Sequence, residues 1–356
     1  MVYSRLKSNK PVIMRNLLTI TVVVFVFIPS WAGHAQNKPY AFENIFKEEN
    51  RIALDARDEF LIGPLPRIGT VTSAGDIIIM DITPRVGVYD ETGVGKGRIG
   101  GPGDGPGEYR YPLSIVSRDT GLYLYDMMLM RISRYDSSFK FVRSFLSTTR
   151  LDEFHISQDG RFFGYGDSGN RGDLVFELND QGQILRQFAP QSKNFNPAAS
   201  SRGGGIVLQE DYVFFITPYE YTLHKYTLDG QIVDTTRRES PRYVAPPEEY
   251  DPRILDDPSK LRAYHKQWSH ILQILPIGDR SLAVVFAEPG YARTFIEIYD
   301  SNLNLIAGNI QLPDYMKSPG ALFSRGDLLY MLVEPVDDLE NPWVVVYSLR
   351  PSFFAL

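Results

Sequence analysis

The sequence contains no cysteine. Disulfides are excluded as a source of stability, and so is anchoring through a lipid-modified cysteine, so the fold must rest on an apolar core. Histidine is scarce: beyond His34 there are only His155, His224, His265 and His270. None stands at the i, i+4 spacing with an intervening glutamate that marks a zinc protease, and no EF-hand loop is present. There is also no Asn-x-Ser/Thr sequon. A single long apolar run occurs, from Leu17 to Ile28. At about a dozen residues it is shorter than the roughly 20 that span a bilayer.

That run follows Arg5, Lys7, Lys10 and Arg15, with no acidic residue among positions 1–35, and it precedes Gly33 and Ala35. Basic flank, short apolar stretch and small residues at −3 and −1 predict a signal peptide over 1–35, cleaved after Ala35, with an uncleaved N-terminal anchor as the alternative. The expected product, residues 36–356, is exported to the periplasm or beyond and has no membrane span. Loss of the four basic residues moves the net charge from −6 to about −10. Acids and bases are interspersed, so nucleic acid is not expected as a partner.

From Arg51 onward the chain is a succession of short β-branched and aromatic runs between turns. One ladder of turns follows strands that end near an acid: Tyr89-Asp90, Tyr135-Asp136, Asn179-Asp180, Leu228-Asp229 and Tyr299-Asp300. Its spacing of between 40 and 50 residues, with one longer interval, fits four-stranded propeller blades. In the second unit the strands are placed at Leu113–Ser117, Leu122–Asp126, Arg131–Tyr135 and Phe139–Phe145. Leu122 and Leu124 alternate with Tyr123 and Tyr125, giving a sheet that is apolar on both faces. The expected fold class is all-β, a six-bladed β-propeller with four-stranded blades; a two-sheet sandwich is the alternative. The last unit shows only three strands, Gly320–Phe323, Leu328–Val333 and Trp343–Leu349, so a strand between Arg51 and Ile62 is expected to close the ring. Residues 238–269, between the fourth and fifth units, are too long for a simple linker. Asp257 can cap a helix there, Pro258 suits its first position, and Leu261, Tyr264 and Trp268 fall on one face. The insert either packs on the propeller rim or acts as a lid.

Residues 97–136 resemble the NHL-type repeat of six-bladed propellers, and especially the exported propellers of Bacteroidetes-like bacteria. The matching positions are Gly105-Pro106-Gly107-Glu108-Tyr109, Pro112, Asp126, Arg131-Ile132 and Tyr135-Asp136, with weaker echoes at Asp81, Arg85-Val86 and Tyr89-Asp90. The resemblance implies a propeller. It leaves function open among scaffolds, sugar or peptide binders, lactonases and lyases.

The glycine-rich loop over 100–107 lacks the Lys-Ser/Thr of a phosphate-binding loop and leads into a strand, so its glycines and prolines are assigned to the step between blades. Three acid–base pairs, Asp81 with Arg85, Asp126 with Arg131 and Glu288 with Arg293, flank the loops between second and third strands. They are expected to make ion pairs and loop hydrogen bonds between blades. Propeller topology puts those loops, Asp104, Glu108 and the insert with Tyr250, Tyr264 and Trp268 at one end of the channel, where convergent polar groups would form a ligand site. The sequence offers no catalytic set, and neither a cofactor nor a metal is expected. The reading is a binding or scaffolding module for a glycan, peptide or protein partner, with a metal-assisted, lactonase-like hydrolase or lyase as the alternative.

Overall fold

The computed structural model describes residues 40–63, 68–81, 85–166, 172–192, 195–196, 203–313, 321–333 and 341–350. The expected signal peptide and Arg171 of the Arg171-Gly172-Asp173 triplet lie outside them. A short helix, α1 (Phe42–Ile45), leads into β1 (Phe46–Ala53). Blade one follows with β2 (Ile68–Val71), β3 (Ile77–Met80), β4 (Val86–Tyr89) and β5 (Gly95–Arg98), and the linker after it carries the parallel bridge of β6 (Gly101–Pro102) and β7 (Glu108–Tyr109). Blade two is β8 (Pro112–Arg118), β9 (Gly121–Asp126), β10 (Arg131–Tyr135) and β11 (Phe141–Leu146). Blade three is β12 (Glu153–Ile156), β13 (Phe162–Tyr165), β14 (Asp173–Leu178) and β15 (Ile184–Pro190). Blade four is β16 (Gly205–Gln209), β17 (Tyr212–Ile216), β18 (Thr222–Thr227) and β19 (Ile232–Arg237). The insert contains α2 (Pro258–His265). Blade five is β20 (His270–Ile277), β21 (Ser281–Ala287), β22 (Thr294–Asp300) and β23 (Leu305–Gln311); the chain then runs through β24 (Leu322–Arg325), β25 (Leu328–Val333) and β26 (Trp343–Leu349).

The protein is an all-β, six-bladed propeller with four-stranded antiparallel blades. In the sixth sheet the order is β1-β26-β25-β24, and β1 pairs antiparallel with β26 from Phe46 opposite Leu349 to Ala53 opposite Trp343. This strand begins upstream of the Arg51–Ile62 window expected from sequence. Six of its eight residues are exposed, because an outermost strand shows most of its side chains to solvent, and the apolar signal is correspondingly faint.

Six apolar layers fill the spaces between neighbouring blades. Between blades four and five, for example, Val207, Phe214 and Ile216 meet Ile274, Val284 and Phe286. Between five and six, α1 inserts Phe42, which stacks on Phe46 at 4.6 Å and meets Tyr347 edge-on at 5.0 Å. Each innermost strand lies against that of the next blade, and β24 returns to β2, which closes the ring.

Polar side chains satisfy the edges of these inner strands across the blade boundary. Phe154 N–H donates to Ser114 Oγ (3.2 Å), and Ile206 N–H to Glu153 Oε2 (3.1 Å). Gln209 Nε2 donates to the Gly278 carbonyl (3.1 Å), Gln273 Nε2 to that of Leu322 (3.1 Å), and Arg325 Nη2 to that of Ser73 (2.7 Å).

The turns before the outer strands share one construction. Asp90 Oδ1 accepts from the N–H groups of Thr92 and Val94, and Asp136, Asn179 and Asp300 do the same in their blades. In blade four the acceptor is Thr227 Oγ1, and Asp229 instead pairs with Arg186 at 2.7 Å. The third residue after each of these acceptors has a left-handed backbone: Gly93, Gly182 and Gly230, but also Phe139 and Leu303. At Gly93 (φ 90°) the constraint is double, since a Cβ there would lie 2.1 Å from the Ala53 carbonyl oxygen. Gly93→Ala therefore strains the turn and forces it off the N-terminal segment, and a loss of about 1–3 kcal/mol is expected in urea unfolding. Wild-type stability in this variant would show that the segment does not bear on blade one.

Candidate functional site

The loops between second and third strands and the blade-to-blade linkers meet at one end of the ring, as their mutual hydrogen bonds show. In blade two, Asp126 Oδ2 accepts from the N–H groups of Arg110 (2.5 Å) and Tyr111 (2.9 Å), and Oδ1 from Leu129 N–H (2.9 Å). Arg131, opposite Asp126 in the β9–β10 register, donates to the carbonyls of Asp104 (2.8 Å) and Glu108 (2.5 Å). Acid and base thus grip the same linker separately. Blade one repeats the device: Asp81 Oδ2 accepts from Gly63 N–H (2.7 Å), and Arg85 donates to the Leu61 carbonyl (3.2 Å). A narrow cleft between them reaches Arg98. Asp104 and Glu108 are exposed and stiffen their own loop, Asp104 by a bidentate pair with Arg110 and Glu108 by accepting from Gly105 N–H (2.7 Å).

Blade five differs. Glu288 and Arg293 make a direct ion pair, with Nε to Oε2 at 2.8 Å and Nη2 to Oε1 at 3.2 Å, and Arg242 of the insert approaches the same carboxylate at 3.4 Å. Beside them Tyr291 lies parallel to the buried His270 ring at 5.5 Å, and His270 Nε2 is 2.9 Å from the His265 carbonyl. With a carbonyl as its partner that nitrogen carries the proton, and burial pushes the His270 pKa down.

The insert follows the expected helix. Asp257 caps α2 by accepting from the N–H groups of Ser259 and Lys260, with Pro258 in the first turn. Hydrogen bonds from the Ser259 side chain and from those amides hold the Asp257 carboxyl at about 2. Tyr264 is buried, and around it and Tyr219 pack Phe195, Tyr250, Ile254, Leu261 and Trp268. Trp268 meets the Tyr264 ring edge-on at 5.8 Å, and its buried indole N–H has no acceptor among the described residues. Asn196 Nδ2 ties the insert down by donating to the Pro247 carbonyl (2.7 Å) and to Tyr264 Oη (3.0 Å). The stripe of Leu261, Tyr264 and Trp268 is thus a satellite core on the rim. Tyr264 is its centre, and Tyr250 and Trp268 lie half-buried at its margin.

A group that sequence reasoning did not find fixes the start of the insert. Glu297, fully buried on β22, accepts from Arg238 Nε (3.0 Å), Tyr221 Oη (2.8 Å), Tyr299 Oη (2.9 Å) and Asn309 N–H (3.2 Å). Burial raises the pKa of both tyrosines far above the usual phenol range, which keeps them as donors. Arg238 follows β19, so this ion pair staples the departing chain to blade five. Nothing in local spacing signals it, because the partners are 59 residues apart.

The chain belongs to the family described as a domain of unknown function, DUF4934, which it matches over residues 28–267. No curated protein matches it. Solved structures share its architecture. A Bacteroides fragilis protein described as exported superposes with a TM-score of 0.67 at 13% identity, over 88% of this chain and 98% of that one. A DUF4221-family member from Bacteroides vulgatus gives 0.64 at 11% identity, over 86% and 99%. At such identities the likeness is one of fold. Among the described residues no helix is long and apolar enough to cross a membrane.

Removing Glu297 leaves the Arg238 charge unpaired in the core. Glu297→Leu is expected to cost about 3–5 kcal/mol in denaturant unfolding, and a loss below 1 kcal/mol, about the value of a surface pair, would contradict that burial. The Asp257 cap predicts a pH dependence. Its carboxyl is depressed in the folded state, so its contribution is complete above the ordinary carboxylate pKa near 4 and is lost as the pH falls toward about 2. Asp257→Ala should speed limited trypsin cleavage at Arg262 at pH 7 while leaving the global melt in place.

Proposed function

We propose that the chain is an exported binding module whose recognition surface is the insert-bearing end of the propeller. The observation that carries this reading is the insert. Its side chains build a satellite core, buried bonds hold it to blade five, and it carries the half-buried Tyr250 and Trp268 at its margin. Rigid aromatics on a pinned scaffold suit recognition because little conformational freedom is lost on binding. Export rests on the basic and apolar N-terminal stretch and on the fold shared with a Bacteroides protein described as exported. The Gly105–Asp136 motif supports assigning the repeats to the NHL type. A glycan, peptide or protein partner fits this surface better than lactonase-like metal chemistry. Asp126 accepts three amide hydrogens and Glu288 lies between two guanidinium groups, so neither carboxylate is open for a metal.

The reading is tested by screening the purified chain against glycan and peptide arrays and repeating the screen with Trp268→Ala and Tyr250→Ala. A ligand of the wild type should lose at least about tenfold in affinity with Trp268→Ala, the effect of truncating a central aromatic contact. A ligand bound equally by both variants would move the recognition surface elsewhere on the ring.

A further inference from the structure

Blade five and the insert bring together two arginines, one carboxylate and one partly exposed aromatic ring. Arg293 engages Glu288 in a bidentate pair and neutralises it. Arg242 meets the same carboxylate only through Nη1 at 3.4 Å, so one positive charge is in excess. The Nε and Nη2 atoms of Arg242 and the Nη1 atom of Arg293 have no protein acceptor among the described residues, although both side chains are about two-fifths exposed. A guanidinium held by one edge with its other donors open is set to receive a planar carboxylate.

The ring beside them completes the pattern. Tyr291 has φ 57°, follows Gly290 at φ 70°, and is 38% exposed although it stacks on buried His270. A left-handed tyrosine costs free energy that glycine or asparagine would avoid. One face of the ring is covered by the His270 imidazole, so what remains is a fixed aromatic platform. The His265 ring meets His270 edge-on at 5.6 Å, and its buried Nε2 has no hydrogen-bond partner among the described residues.

From this juxtaposition we infer that Arg242, Arg293 and Tyr291 form a subsite for an acidic saccharide, with the uronate carboxylate on the guanidinium edges and the sugar ring against Tyr291. The inference rests on the reading of this end as the recognition surface and names its ligand class.

The test is calorimetric titration of the full chain with tetragalacturonate and with a hyaluronan tetrasaccharide, each beside its carboxyl-methylated form. The acidic forms should bind, more weakly as salt is raised, and the methylated forms should not. Arg242→Ala and Tyr291→Ala should each weaken binding by about tenfold or more, the equivalent of one charge-assisted contact. Arg242→Lys, which keeps the charge and loses the fork, should fall between. Because Arg293 alone neutralises Glu288, Arg242→Ala should melt like the wild type. Equal binding of acidic and methylated forms, no binding of either acid, or full affinity in Arg242→Ala would overturn the subsite. Equally tight binding of polyglutamate would overturn the saccharide assignment in favour of acidic peptide. An array ligand lost on Trp268→Ala but indifferent to Arg242→Ala would remove this subsite and leave the recognition surface standing. No array ligand at all, together with uronate binding that Arg242→Ala abolishes, would do the reverse.

Discussion

Every blade ends toward the channel in a strand with one unpaired edge, and the ring depends on how those edges are satisfied. A propeller cannot pair them with further strands, because neighbouring inner strands splay from the axis. Unsatisfied N–H and C=O groups there would cost stability and invite association. This chain answers with side chains sent across five of the six boundaries: Ser114 to blade three, Glu153 to blade four, Gln209 to five, Gln273 to six and Arg325 back to one. The residues differ but the office is shared. The contacts are directional, so they fix the stagger between blades, which the apolar layers between the sheets could tolerate within a range. Glu153 shows how tight the fit is. A Cβ on Gly205 would sit 2.3 Å from its carboxylate, so the glycine is required for the contact.

The outer edges are treated unevenly. Residues 40–63 bear on three of the blades: Phe42 and Ile45 of α1 join the apolar cluster that holds Ala307 and Ile310 of β23, β1 is itself the outer strand of blade six, and Phe60 and Asp55 lie against the β5 end of blade one. The outer strands of blades two, three and four, β11, β15 and β19, stay largely exposed and carry Leu146, Leu185 and Ile232 in the open. Charged side chains on the same strands, Arg143, Arg186 and Asp234, are the usual defence of a bare edge.

The fold was legible because it rests on short-range chemistry. Asp90, Asp136 and Asp300 each close a turn with their own carboxylate, so the ladder shows in sequence; where the acceptor is Thr227 the eye is drawn two residues on, to Asp229, whose role is an ion pair with Arg186. The helix at Pro258 was readable from Asp257 and the proline because a cap is local. The site was less so. Asp126 and Arg131 stand opposite each other yet grip a linker independently, and Arg242 reaches Glu288 only because the insert folds back over blade five. Contacts across many tens of residues leave no periodic trace in the chain.

The buried pair of Arg238 and Glu297 bears on why the insert can carry a surface. A long linker without internal support would sample many arrangements, and a partner would have to order it on binding. Here the first residue beyond β19 is locked by an ion pair inside blade five, Ser240 bonds Asn309 two residues later, and the return at Ser269 is tied to Val244. The two ends of the insert are thereby held together, and α2 with its aromatic cluster closes the span. A buried ion pair adds little net stability over an apolar substitute, but it tolerates few geometries. Its value in this position is the single path it imposes on the chain, which delivers Arg242 to Glu288 with part of its guanidinium still open to solvent.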